Sequence, residues 1–212
     1  MEDRSLSRRK ATQLMLAAPV FSAPAFSVLS SVFFLNGCKS ATVTPVTMTA
    51  IGAPIPLGIS SIDIINEYTA PGVKPYIDHI LTPNPSQQVT DWASDILTPA
   101  DARGNLLITI TRAAMTEEHL EGEETIKGFF TNEQTRKVRV ELEAYFSFSH
   151  PQNNRSATLT VQAAYETTIA ENTTPRDADL VRQSVLDEGL GKFDAEFRRQ
   201  LIMVSGGGWP QF

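Results

Sequence analysis

The chain carries a single thiol, Cys38, and its surroundings are built for handling by another protein. Leu35-Asn36-Gly37 stands directly ahead of it, where small Gly37 lets a peptidase approach the backbone and the sulfur is open to alkylation. One cysteine excludes an intrachain disulfide and any multi-cysteine zinc site. Other groups with chemistry in them are scattered. His79, His119 and His150 fall in three separate loop or strand-end contexts, and neither Gly-x-Ser-x-Gly nor His-Glu-x-x-His occurs. A phosphate loop is also absent. The densest polar cluster is Glu117-Glu118-His119-Leu120-Glu121-Gly122-Glu123-Glu124, whose oxygens can bind a divalent cation but which also reads as a solvated turn. No catalytic residue, metal site or cofactor is assigned on this basis, and the expectation is a protein that is not an enzyme.

Upstream of Cys38, Arg4, Arg8, Arg9 and Lys10 form a positive stretch, followed by an uncharged run over 11–38 rich in Leu, Val and Phe. A basic segment, an apolar segment and a small residue before the cut are the parts of an export signal. Leu35-Asn36-Gly37-Cys38 resembles the lipobox of bacterial lipoproteins. That resemblance implies cleavage before Cys38, attachment of acyl chains such as palmitate to its sulfur, and roles in signal recognition for Arg8, Arg9, Leu35 and Gly37. An uncleaved transmembrane helix is the rival, since the run exceeds the ~20 residues that span a bilayer. Pro19 and Pro24 make it a poor helix. Either reading tethers the remainder to a membrane.

Ser7-Arg8-Arg9-Lys10-Ala11 also resembles the twin-arginine export signal, with Ala11 and Thr12 where that pattern prefers bulky apolar residues. An ordinary secretory signal with adjacent arginines stays equally open. Twin-arginine passengers are often cofactor enzymes, so the runner-up is an exported periplasmic enzyme with an unfamiliar site.

The 212 residues carry a net charge of −6, and no basic stripe interleaved with aromatics appears, which argues against nucleic acid as a partner. Removing 1–37 takes away four basic side chains against Glu2 and Asp3, leaving the remainder more acidic. Such a body does not adhere to anionic lipid by charge, so membrane residence rests on the acyl chains. Lys39 follows Cys38 where enterobacterial inner-membrane lipoproteins carry aspartate, so the resemblance favours the outer membrane, facing the periplasm.

Downstream, 38–56 is Ser, Ala, Thr, Val and Pro without an acidic residue and reads as a lipidated tether. An α+β domain is expected over 57–204. Ile59, Ile62, Ile64 and Ile65 predict a first strand in 57–68, closed by Pro71-Gly72. Val89, Trp92, Ala93, Ile96 and Leu97 make one helical stripe, entered through Asn84-Pro85 and ended by Pro99, with Trp92 as a core anchor. Alternation predicts strands at 106–115, 137–148 and 157–169, the last two an antiparallel hairpin through His150-Pro151-Gln152-Asn153-Asn154. Thr174-Pro175-Arg176-Asp177 caps a long helix along Val181, Val185, Leu186, Leu190, Phe193, Phe197, Leu201 and Val204, with Gly189 and Gly191 marking a kink or close packing. Ser205-Gly206-Gly207-Gly208 ends it, and 205–212 is a flexible tail. The order β-α-β-β-β-α implies a mainly antiparallel four-stranded sheet with two helices on one face.

Two aromatic features suggest contact surfaces. Phe129 and Phe130 are adjacent, so both cannot point inward from a strand; either one meets a partner or both pack beneath a turn capped by Thr131. Trp209, in the tail, either docks on a partner or frays with it.

Behind a lipobox, this order of elements resembles small envelope lipoproteins, especially the lipopolysaccharide-assembly lipoprotein and the auxiliary lipoproteins of lipid-trafficking ABC transporters. Phe130-Thr131-Asn132-Glu133-Gln134 is similar to a stretch of uncharacterised alphaproteobacterial lipoproteins. The resemblance implies a non-enzymatic binding or assembly subunit of a transport or outer-membrane complex, with an integral membrane or envelope protein as partner. It transfers no ligand-contacting residue.

Overall fold

The computed structural model describes residues 50–101, 103–120, 134–151 and 154–205, all within the compact unit Thr44–Phe212. Arg8, Arg9, Leu35, Gly37, Cys38, Phe129, Phe130 and Trp209 lie outside the described residues. The described chain is an α+β fold. Four strands form one sheet in the order β2 (Ser61–Asn66), β4 (Asn105–His119), β5 (Gln134–His150), β6 (Arg155–Ala170). The β4–β5 and β5–β6 pairs are antiparallel, while β2 joins β4 in parallel, Ile64 opposite Ile108.

Alternation builds the sheet as expected. Leu106, Ile108 and Ile110 of β4 and Val138, Val140, Leu142, Ala144 and Phe146 of β5 are buried on the face that meets the helices. The opposite face carries a cross-strand ladder of charges: Arg112 pairs with Glu141, Arg139 with Glu141 and Glu166, and Lys137 with Glu118. A single-sided sheet of this kind needs helices on one face only.

Two departures from the expected strands have a local reason. The strand expected over 57–68 is two strands, because β1 (Ile55–Leu57) pairs in parallel with β3 (Leu97–Pro99), and β2 begins only at Ser61. The folded domain therefore starts ahead of Leu57. The strand expected to stop at 115 runs on to His119. A bulge between Ile110 and Arg112 moves burial from Ile110 to Ala113 and Met115, which breaks the period-2 signal halfway along β4. Beyond it, Glu117, Glu118 and His119 belong to the strand and lie opposite Val138, Lys137 and Arg136. These three are not part of a turn, and Glu121, Gly122, Glu123 and Glu124 of the same cluster lie outside the described residues.

The first helix, α1 (Pro85–Ile96), starts as its sequence demands: Asn84 accepts from the Gln87 amide at 2.9 Å and Pro85 fills the first turn. It stops earlier than Pro99 requires, since Leu97 turns extended to enter the ladder with Ile55. The closing helix, α2 (Pro175–Ser205), is capped by Thr174, whose hydroxyl accepts from the Asp177 amide at 3.2 Å. Val185, Leu186, Leu190, Phe193, Phe197 and Leu201 are buried along it, with Val181 and Val204 packed at the margin. Gly189 is there for close approach. A Cβ on it would fall 2.4 Å from Val140 Cγ1, so the helix lies against β5 at this point.

The core centres on four rings. Trp92 meets Phe193 and Phe197 edge-on at 5.2 and 5.4 Å, and Phe146 of β5 stacks at a tilt on Phe197 at 4.7 Å. Edge-to-face pairs add about 1 kcal/mol each to the burial itself. Trp92 is thus the expected anchor between helix and sheet. Among the described residues no helix is long and apolar enough to cross a membrane.

Candidate functional site

A gap in the sheet edge makes the most distinctive site. Past Asn66, β2 leaves β4, and the chain returns only at Tyr76, which bridges Thr116, with the Ile77 amide donating to Met115 O at 2.7 Å and the Glu117 amide to Pro75 O at 2.8 Å. The first pairing ends with the Glu67 amide donating to Ile110 O at 3.0 Å, and the bulge of β4 lies between it and the second. The intervening chain, a short 3-10 turn over Asp78–Ile80 and the start of α1 line a cavity of about 280 Å³ there that opens to solvent.

Asp78 lies in the wall of this cavity and is only 2% exposed. Its Oδ2 accepts from the Tyr68 hydroxyl at 3.1 Å, whereas its Oδ1 is buried without a hydrogen-bond partner. Burying a polar atom unpaired costs about 1 to 3 kcal/mol, more for a charged group, so such an atom marks a place where something is missing or strained. Tyr68 is held in position by its own amide, which donates to Asn66 Oδ1 at 3.0 Å. Burial, reinforced by the neighbouring Asp78 carboxylate, pushes the Tyr68 phenol well above its ordinary pKa. The phenol therefore remains a donor and Asp78 the acceptor. Pro85 and Ala113 are buried beside them, while Asn66 and Asn84 stand exposed at the rim.

The sequence reading passed over this site because it lies in a proline-rich stretch without periodicity. The available signal was small: Asp78 directly follows Ile77 and Tyr76, an apolar approach to an acidic residue in a loop.

Other polar centres tie elements of the fold together. Glu117, first member of the acidic cluster, is gripped by Arg182 through Nε at 2.6 Å and by Arg136 through Nη1 at 2.8 Å, tying α2 to β4 and β5. Burial pushes its carboxyl up, but the two guanidiniums outweigh that and hold it below the usual range. Among the described residues no group of three or more His, Cys, Asp or Glu is placed to hold a metal. A groove of about 330 Å³ runs between Tyr76 and the charge ladder, yet Arg112, Lys137 and Arg139 in it all have carboxylate partners. His150 is buried at the end of β5, far along the chain from His79 and His119, and the three imidazoles form no cluster.

A last centre concerns how the chain enters the domain. Asp194 on α2 accepts from the Gly52 amide at 2.9 Å, the Trp92 indole at 3.0 Å and Arg198 Nε at 2.8 Å. Arg198 also donates to Ala53 O at 2.6 Å. Residues at the far end of the expected tether are thereby clasped to the domain.

No family model matches this sequence, and no curated protein matches it. Solved structures resemble it at low identity. A candidate lipoprotein from Caulobacter crescentus CB15 aligns at 13% identity with a TM-score of 0.40, covering 73% of this chain and 96% of its own. A minor lipoprotein from Acinetobacter baumannii aligns at 14% identity and a TM-score of 0.28, over 65% and 88% of the two chains. A Xanthomonas campestris protein of the DUF330 family does so at 11% identity and 0.32, over 73% and 92%.

Proposed function

We propose that this chain is a lipid-anchored protein of the bacterial cell envelope whose α+β domain is a non-enzymatic binding or assembly subunit of a transport or outer-membrane complex. The observation that carries the reading is the basic stretch and uncharged run that end at Leu35-Asn36-Gly37-Cys38. The clasp at Gly52 and Ala53 agrees with it. From Lys39 to Ile51 the chain reaches at most ~45 Å when fully extended, so an acyl anchor on Cys38 keeps the domain within a thin layer beside the membrane. Confinement raises the effective concentration of a membrane-embedded partner without any chemistry. On this reading the outer membrane is the site and the domain faces the periplasm, with Phe129, Phe130 and Trp209 as candidate partner contacts.

Metabolic labelling with a fatty-acid probe tests the anchor. The parent protein is expected to take up label and partition into membranes, and Cys38→Ser to lose both properties. An unmodified thiol in native material, with the protein soluble after lysis, overturns the assignment. Purification in mild detergent tests the partner: an integral membrane protein should co-elute, and its yield should fall in Phe129→Ser with Phe130→Ser.

A further inference from the structure

We infer that the cavity beside Asp78 is a binding site for a small organic cation, a primary alkylammonium, whose charged head pairs with the unpartnered carboxylate oxygen. This inference stands on the cavity alone and is independent of the lipid anchor.

The carboxylate sets the sign of the ligand. Tyr68 satisfies Oδ2 and leaves Oδ1 without a donor, inside a wall from which bulk water is largely removed. A carboxylate in that setting repels anions and gains most from a charged donor, because charge-assisted hydrogen bonds are roughly twice as strong as neutral ones. Oδ1 itself is buried, so contact with a ligand requires the carboxylate to turn about its Cβ–Cγ bond, a torsion whose wells are broad.

The surroundings set the chemical class. Ca2+ and Mg2+ need about six or more oxygen ligands or retained waters in fixed geometry, and Asp78 has no second acidic side chain beside it in the cavity. An alkylammonium needs one carboxylate beside apolar surface; Ala70, Pro85, Ala113 and the Tyr68 ring supply that surface, and Thr69, His79 and Ser86 complete the lining. The amide oxygens of Asn66 and Asn84 at the rim are already committed, to the Tyr68 and Gln87 amides, which fixes both side chains at the mouth. Size sets the limit. At about 280 Å³ the cavity falls just below the range that houses drug-sized molecules and suits a ligand of several heavy atoms.

The test is a titration of the full-length protein in detergent with n-butylammonium chloride, followed by amide NMR, with n-butanol as the neutral counterpart. Saturable shifts are expected at Tyr68, Asp78 and Ala113, with a dissociation constant between ~10 μM and ~10 mM for so few ligand atoms. n-Butanol should bind at least about tenfold more weakly, the difference a charge-assisted bond makes. Asp78→Asn should lose binding by a similar factor. Tyr68→Phe, which frees Oδ2 as well and leaves the carboxylate in place, should bind the cation more tightly. Equal binding of n-butanol and n-butylammonium, undiminished binding by Asp78→Asn, or shifts that stay linear and non-saturable would each overturn the inference and leave a water as the partner of Oδ1.

Discussion

The indole Nε1 of Trp92 donates to Oδ1 of Asp194 across 3.0 Å, so a buried acid on α2 is satisfied by the ring that fills the core beneath it. The same carboxylate holds Gly52 and Arg198, and the two helices and the incoming chain therefore meet on one side chain. Losing it strands three donors at once. Asp194→Ala should destabilise the domain by about 3 kcal/mol, the cost of breaking a buried, hydrogen-bonded charge pair. A lower urea midpoint at unchanged slope is the expected signature, and a variant with the parent's midpoint would contradict the clasp.

Acid should act through the same group. Burial raises the Asp194 carboxyl, but Arg198, the Gly52 amide and the Trp92 indole together hold it below the ordinary carboxylate range, as Arg182 and Arg136 do for Glu117. A depressed folded pKa means that the stabilisation is complete above the unfolded values of about 3.9 and 4.3 and disappears as pH falls through the lower folded values. The urea midpoint of the parent should thus hold steady from neutral pH to about 5 and drop below about 4. Asp194→Asn with Glu117→Gln should start lower and fall less steeply over that acidic interval.

Gly189 sits under Val140 with no room for a methyl group. Gly189→Ala should cost about 1 to 3 kcal/mol by overpacking, although alanine is the better helix former by roughly 1 kcal/mol in an open position. Val140→Ala opens the space that the methyl needs. In the double variant the two losses should add to less than their sum, and strict additivity would argue against the contact.

The entry to α1 rests on Asn84, whose side chain accepts from the Gln87 amide. Asn84→Ala should cost about 1 kcal/mol, with thermal unfolding as the measure, because one helix-end amide loses its acceptor. Asn84→Asp should restore most of that loss.

Much of this architecture was legible locally. Alternation in β5 and β6, the His150–Asn154 connection, the caps at Asn84 and Thr174 and the apolar stripe of α2 all record burial within a few residues of the groups involved. One face of a strand or helix is wet and the other dry, and that contrast is written at periods of 2 and 3.6. The resemblance around Cys38 is legible for a different reason, since signals of the kind it resembles are read as linear sequence by other proteins.

Pairings between distant segments leave no such trace. Nothing near Ile55 announces that it will lie beside Leu97, and nothing in β2 distinguishes a parallel partner from an antiparallel one. Asp194 reads as one more polar residue of an amphipathic helix, yet its partners are 102 and 142 residues away in the chain. Asp78 reads as a loop acid, and only the departure of β2 from a bulged β4 leaves a cavity beside it. Sequence determines which surfaces must be covered; which segment covers them is decided by simultaneous packing, because the free energy of a buried polar atom depends on a donor that no local pattern specifies.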